Sequence, residues 1–190
     1  MPDNKIKYGI KNCYYAVATI GTGNTATYDT PVALPGAVSI SLSAQGENTP
    51  FYADNIVYYT SIANNGYEGD LELARLPESF LTDVLGNVVA ANDLVYEDAN
   101  AEPVHFALMF QFEGDQSARR HVLYNCTATR PEINGSTKED SISPETETLT
   151  ITATTIHVTA IDKDITKGYL NEGDTGYSTF FTSVIQPTAS

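Results

Sequence analysis

The chain has 190 residues, of which 42% are hydrophobic, which suffices for one compact domain but not comfortably for two. It contains 24 acidic and 10 basic residues. This excess of negative charge argues against nucleic-acid binding, because such binding ordinarily needs a basic face that releases counterions from phosphates. No apolar run approaches the ~20 residues that cross a bilayer, and the first residues lack the apolar segment of a signal peptide, so we expect a soluble protein made in the cytoplasm.

The first predicted strand runs from Cys13 to Ile20 and is rich in aromatic and β-branched residues. It ends at GTGN, where Gly21, Gly23 and Ala26 match the spacing of a dinucleotide-binding fingerprint. That fingerprint requires a helix directly after it, so that the pyrophosphate lies at the helix N-terminus. Because Pro31 and the nearby threonines leave no room for a helix, a hairpin turn is predicted instead, and no cofactor is expected.

A second strand is predicted from Gly36, because Val38, Ile40 and Leu42 alternate with serines. The segment after it mixes turn residues with aromatic ones. Tyrosine and phenylalanine in extended segments favour interfaces, although a hairpin whose rings cover their own domain fits as well. The candidate contact residues in this segment are Phe51, Tyr52, Asp54, Tyr58, Tyr59, Asn64 and Tyr67.

Acidic residues dominate the first two thirds of the chain, where Arg75 is the one basic side chain between Asn12 and Ala118. Glu68, Asp70 and Glu72 alternate along a predicted strand and therefore project from one face. Such a row could hold a cation or act as a general acid and base. A hydrated, repulsive strip is the favoured interpretation, either for solubility or as a surface that DNA passes without binding.

Two further elements have clear patterns. Leu76 to Gly86 is predicted as an amphipathic helix, with Pro77 in its first turn and Gly86 as a C-cap. Two apolar runs around Gly114 and Asp115 predict a hairpin. One strand face carries Phe106, Leu108, Phe110 and Phe112, and the facing strand carries Val122, Tyr124 and Cys126.

The last strong strand is predicted from Glu147 to His157, where threonines alternate with apolar residues. Residues 1–162 are expected to form one domain with an N-terminal arm, and the Gly- and Thr-rich residues 163–190 a flexible or partner-ordered extension. The predicted fold class is mainly β (α+β). It comprises two antiparallel sheets in a sandwich or partly closed barrel, with one short flanking helix.

No catalytic or metal-binding constellation is found. His105, His121 and His157 lie in predicted strands without the close spacing of a zinc site. His121 and Cys126 could suggest a base and a thiol nucleophile, but nothing orients them. Cys13 and Cys126 are too few for a disulfide framework and are predicted to be buried and reduced. We therefore expect no enzyme activity and no metal.

Several long stretches are similar to the major tail proteins of siphophages of Gram-positive hosts, the phi13-type family of major tail proteins. The resemblance covers most of the first 155 residues in order. Its matching stretches are KYGIKNCYYA (7–16), YDTPVALPGAVSISL (28–42), PFYADNIVYY (50–59), NNGYEGDLELARLPESF (64–80), FALMFQFEGD (106–115) and RRHVLYNCTATRPEINGSTKEDSISPETETLTITA (119–153).

The resemblance implies a tail tube subunit of the virion, in which six copies form a ring, rings stack, and sheets of neighbouring subunits line a channel for genome ejection. It implies partners as well, namely the tape measure, distal tail and tail terminator proteins, with DNA passing through unbound. Glu68, Asp70 and Glu72 are then the expected lumen-facing acids, and the aromatic segment and N-terminal arm the expected ring contacts.

Two alternatives remain at this point. A tail terminator or decoration protein would form a single closed ring or bind a capsid rather than stack. A monomeric carbohydrate- or protein-binding module would instead show an exposed aromatic cleft.

Overall fold

The computed structural model describes residues 6–46, 48–135, 137 and 145–189. These residues form one α-helix, α1 (Glu78–Asp83), two 3₁₀ turns (Thr22–Asn24 and Tyr177–Thr179) and fifteen strands. The strands are β1 (Ile10–Ile20), β2 (Ala26–Tyr28), β3 (Val32–Ala33), β4 (Ala37–Gln45), β5 (Asn48–Ala53), β6 (Ile56–Ile62), β7 (Gly66–Leu73), β8 (Asn87–Val89), β9 (Val95–Glu97), β10 (Phe106–Phe112), β11 (Arg120–Ala128), β12 (Glu147–Thr154), β13 (Ile156–Val158), β14 (Lys163–Ile165) and β15 (Lys167–Leu170).

Nine strands form one antiparallel sheet in the order β2-β1-β10-β11-β12-β7-β4, with β3 added to β1 and β15 to β11. Three hairpins stand apart as two-stranded sheets: β5–β6, β8–β9 and β13–β14. β1 turns back into β2 through the 3₁₀ turn at Thr22–Asn24. This confirms the hairpin turn that was predicted where the dinucleotide fingerprint would lie.

The main sheet curves so that strands far apart in its order share one core. Tyr15 of β1, Phe106 of β10, Leu71 of β7 and Leu149 of β12 are all fully buried in this first core. Where two sheets were expected from the sequence, the described residues form one nine-stranded sheet and three hairpins. Among the described residues, β2 and β4 are the two ends of the sheet order and do not pair with each other, so the sheet is not closed into a barrel.

α1 covers one side of the first core. It is shorter than the predicted Leu76–Gly86 helix, and its C-cap is Val84 rather than Gly86. Phe80 within it, and Val84 and Leu85 directly after it, are at most 5% exposed, as the apolar pattern predicted. The rings of Tyr15 and Phe106 each meet that of Phe80 edge to face, a favoured aromatic geometry. Pro77, predicted in the first turn, lies one position earlier as the N-cap residue.

The strands β10 and β11 form the predicted hairpin, but one assignment within it was wrong. The register passes from Phe106↔Cys126 to Leu108↔Leu123, which leaves an extra residue in β11. Such a β-bulge reverses the side-chain alternation beyond it. Cys126 therefore packs in the first core, whereas Val122 and Tyr124 pack in the second core on the other sheet face.

C-terminal residues cover part of the second core. β15 pairs with the first half of β11, and Phe180 is 1% exposed. The Tyr124 hydroxyl donates a hydrogen bond to the Ile185 carbonyl at 2.9 Å. β15 and the segment around Phe180 and Ile185 are thus packed against the main sheet.

The mainly antiparallel β architecture with one α-helix is confirmed. Within the described ranges, no helix has the length and apolar character to span a membrane.

Candidate functional site

Three adjacent strands present a regular polar surface opposite the first core. Each acidic residue of β7 lies between a serine of β4 and a threonine of β12 in the strand register. We name this surface the hydroxyl–carboxylate face. Its three rows are Ser39–Glu72–Thr148, Ser41–Asp70–Thr150 and Ser43–Glu68–Thr152.

Hydroxyl groups hold two of the three carboxylates in place. Ser39 and Thr146 donate to the two carboxylate oxygens of Glu72 at 2.8 and 2.7 Å, and Thr150 donates to Asp70 at 3.0 Å. The bonds from Thr146 and Ser39 lower the pKa of Glu72, because they stabilise its ionised form. Hydroxyl groups thus orient two of the three carboxylates of this exposed face.

The charged side chains of this face are all acidic. β4, β7 and β12 contain no lysine or arginine. Alternate residues of a strand are about 7 Å apart, which does not suit joint chelation of one ion, and no metal-binding group of three or more His, Cys, Asp or Glu occurs among the described residues. Glu68, Asp70 and Glu72 share one face, as the alternation predicted.

The candidate contact residues are divided between two places. Asp54 and Tyr58 lie in the β5–β6 hairpin, where both are exposed, and Asn64 lies in the connection to β7. Tyr67 lies in β7, where its ring packs against the first core and Lys167 Nζ sits 4.4 Å from the ring centroid. The side chains of Phe51, Tyr52 and Tyr59 are outside the described part of the molecule.

His121 and the two cysteines pack in the interior, whereas His105 and His157 contact polar side chains. His121 stacks on Phe110 with ring centroids 5.3 Å apart, and burial lowers its pKa to about 4. His105 Nδ1 lies 2.7 Å from Asn125 Oδ1. Both cysteines are free and buried, and burial raises the pKa of Cys126 and that of Cys13, the latter to about 12. Neither thiol is activated as a nucleophile.

A sequence model of the phage tail tube protein family matches residues 3–169. The chain belongs to this family. It is a structural component of bacteriophage tails, as the resemblance of its sequence to major tail proteins predicted. No curated protein matches it significantly.

The sequence of this family member does not show that its serine and threonine columns lie beside the acidic strand. Their period-two alternation was visible at Ser39–Ser43 and Thr148–Thr152. What the sequence lacked was the order β12-β7-β4, which places both columns beside the acidic strand.

Proposed function

We propose that this family member is the major tail tube subunit of a phage, in which six copies close into a ring and rings stack into a tube around the channel for genome ejection. We assign the hydroxyl–carboxylate face to the lining of the channel, and this assignment is the main support for the proposal. The tube is located in the virion, and its proposed partners are the tape measure, distal tail and tail terminator proteins.

Electrostatic repulsion supports the assignment of this face to the channel lining. A genome in transit is a dense polyanion, and attractive contacts with its phosphates would release counterions and bind it. Carboxylates without nearby lysine or arginine make the contact repulsive. The hydrogen bonds to Glu72 and Asp70 keep these side chains in the sheet surface, so that they do not extend into the bore.

The unpaired edge of β4 supports the proposal that subunits close into a ring. Soluble proteins protect exposed edge strands with charges, prolines or bulges. β4 has a register irregularity near Ala37, but its sequence AVSISLSAQ contains neither a charge nor a proline. β4 is the last strand in the sheet order. A nine-residue edge of this kind is suited to pair with a neighbouring copy in a closed, head-to-tail ring.

Electron microscopy of the purified protein tests this function. Negative-stain images and mass photometry over a range of concentrations are expected to show hollow tubes or stacked six-membered rings. A monomer at every concentration would contradict the proposal.

A matched pair of variants tests the edge. V38K places a charge on β4, where Val38 is 50% exposed, and I133K places the same charge at Ile133, which is 99% exposed outside the strands. V38K is expected to block ring closure, and I133K is expected to assemble normally.

A further inference from the structure

We propose that a basic, aromatic cavity of one copy receives the Asp93–Leu94 turn of the β8–β9 hairpin of a second copy. This inference rests on the proposed function, in which copies repeat along the tube axis. We call the receiving surface the lysine cavity. The lining residues used here are Lys7, Leu42, Tyr67, Phe110, Phe112 and Lys167.

The lysine cavity is lined by two amines and, among the described residues, by no carboxylate. Lys7 Nζ lies 4.7 Å from the centroid of the Phe112 ring, and Lys167 Nζ lies 4.4 Å from that of the Tyr67 ring. Neither lysine forms an ion pair with a described carboxylate. In a chain with 24 acidic and 10 basic residues, these two charges are left for an acid of a second molecule.

The effect of these charges is visible at His121, which also lines the cavity. Burial is the largest cause of its pKa of about 4, and the charges of Arg119 and Lys7 come next. Lys167 lowers this pKa further, and Asp115 alone acts in the opposite direction. His121 is therefore uncharged at neutral pH, and the positive potential of the cavity comes from the flanking cations.

The size and walls of the lysine cavity suit a pair of side chains. It encloses about 210 Å³, below the roughly 300 Å³ at which typical ligand clefts begin. Leu42, Phe110 and Phe112 give it apolar walls beside the two amines. An acidic side chain next to an aliphatic one fits this combination of charge and apolar surface.

The turn of the β8–β9 hairpin presents such a pair. Asp93 is exposed and Leu94 is 58% exposed. The Asp93 N–H donates to the Ala90 carbonyl at 3.0 Å, and the Ala90 N–H donates to the Leu94 carbonyl at 2.8 Å, which fixes the shape of the turn. Asp93 forms no ion pair within the described ranges.

The β8–β9 hairpin also has an apolar surface without a partner in its own sheet. β8 and β9 pair only with each other in the described part of the chain, and a lone two-stranded hairpin is only marginally stable in water. Val88, Val89 and Tyr96 are 39%, 48% and 45% exposed. Contact with a second protein surface would cover these side chains and stabilise the hairpin.

The hairpin and the lysine cavity lie at opposite ends of β4 and β7. Leu42 and Tyr67 line the cavity near the end of β4 and the start of β7. Val95 of β9 lies in a groove that it shares with Arg75, which follows the end of β7. The six residues from Tyr67 to Leu73 span about 20 Å. A second copy displaced along the strands therefore brings its β8–β9 hairpin to the lysine cavity.

Zero-length cross-linking of assembled tubes tests this contact with the native side chains. A water-soluble carbodiimide condenses a carboxylate with an amine in contact, which leaves an amide and converts the reagent to a urea. Tubes are assembled from an equal mixture of unlabelled and ¹⁵N-labelled copies, so that peptides joined between copies have mixed isotope composition in mass spectra. We expect mixed peptides that join Asp93 to Lys7 or Lys167.

The alternative occupant is the β5–β6 hairpin, whose exposed acid is Asp54. This hairpin leaves the molecule at the same end of β4 and β7 as the lysine cavity, so it would have to come from a neighbour at the same height. Mixed peptides that join Lys7 or Lys167 to Asp54, or to no acid of a second copy, would overturn the proposed contact.

A double-mutant cycle measures the coupling between the charges. D93N removes the acid, and asparagine tolerates the φ angle of 63° at this position. K7M/K167M removes both amines and keeps unbranched side chains. We expect each change alone to raise the concentration at which tubes form roughly tenfold, and the two together to raise it little further.

Matched controls remove the same charges at exposed positions outside both surfaces. D29N and K11M/K163M should leave the concentration for tube formation unchanged. Fully additive effects of D93N and K7M/K167M would overturn the contact while leaving tubes and the proposed function intact. A parent protein that forms no tubes would instead contradict the proposed function, and the contact with it.

Discussion

The ionisation of Glu72 depends on hydroxyl donors from two other segments. Thr146 and Ser39 donate to its two carboxylate oxygens and lower its pKa, with Thr146 the larger cause. We predict that T146V raises the pKa of Glu72 more than S39A does. Carbonyl NMR titration of labelled protein measures both shifts, and an unchanged pKa in T146V would contradict the hydrogen-bond account.

His121 is expected to make stability depend on pH. Burial is the largest cause of its pKa of about 4, compared with an ordinary value of 6.5, and the charge of Arg119 is the next. Between these values the unfolded chain binds a proton that the folded chain does not, so the free energy of unfolding falls as the pH is lowered from 6.5 towards 4.

The variant H121F is predicted to flatten this part of the pH profile. Phenylalanine retains the stacking on Phe110 without a titrating group. Urea unfolding at pH 7, 6, 5 and 4 gives the comparison, and equal slopes in H121F and the parent protein would argue against His121 as the cause.

At the scale of elements, the close approach of β4 and β7 requires glycine at position 69. A Cβ added at Gly69 would lie 1.9 Å from the Ser41 carbonyl oxygen and 2.9 Å from Leu42 Cα, and backbone atoms of this kind move only if the strands separate. G69A is predicted to lower the free energy of unfolding by about 1–3 kcal/mol.

The matched control for this substitution is G135A. Gly135 has nothing within 4 Å of an added Cβ, so the change there is expected to be near zero in the same urea titration. Equal stability of the two variants would contradict the tight contact between β4 and β7.

The C-terminal segment is predicted to contribute strongly to stability, although the family match ends at residue 169. Phe180 is buried in the second core, and F180A should cost about 3–5 kcal/mol, the usual loss for a buried phenylalanine. I133A, at a side chain that is 99% exposed, should cost less than about 0.5 kcal/mol. A similarly small effect of F180A would show that the segment is not held to the sheet.

Local patterns predicted several elements correctly. The strand at Cys13–Ile20 was predicted from its aromatic and β-branched residues, and the helix around Phe80 and the hairpin of β10 and β11 from the spacing of apolar residues. The position of Cys126 was not, because a β-bulge reverses the alternation without a local signal. The docking of Phe180 depends on contacts with strands far away in the chain, which a Gly- and Thr-rich sequence does not reveal.

At the scale of the whole molecule, the charge of the hydroxyl–carboxylate face is predicted to affect DNA passage rather than assembly. The variant E68Q/D70N/E72Q removes its three charges but keeps the side-chain shapes. Virions that carry it should form tails of normal length and eject DNA more slowly, because the channel no longer repels phosphates.

The matched control, E102Q/E113Q/E172Q, removes three exposed glutamates outside β4, β7 and β12 and should eject DNA normally. Ejection kinetics, followed by the fluorescence of a DNA-binding dye, give the comparison. Equal rates in the two triple variants would count against a lumenal position of the face.

A cryo-electron microscopy reconstruction of assembled tubes would show which surface lines the channel. We expect six copies per ring and a continuous sheet around the bore, with Glu68, Asp70 and Glu72 facing the channel. A tube in which these three carboxylates face outward or lie within a subunit interface would contradict the proposed function.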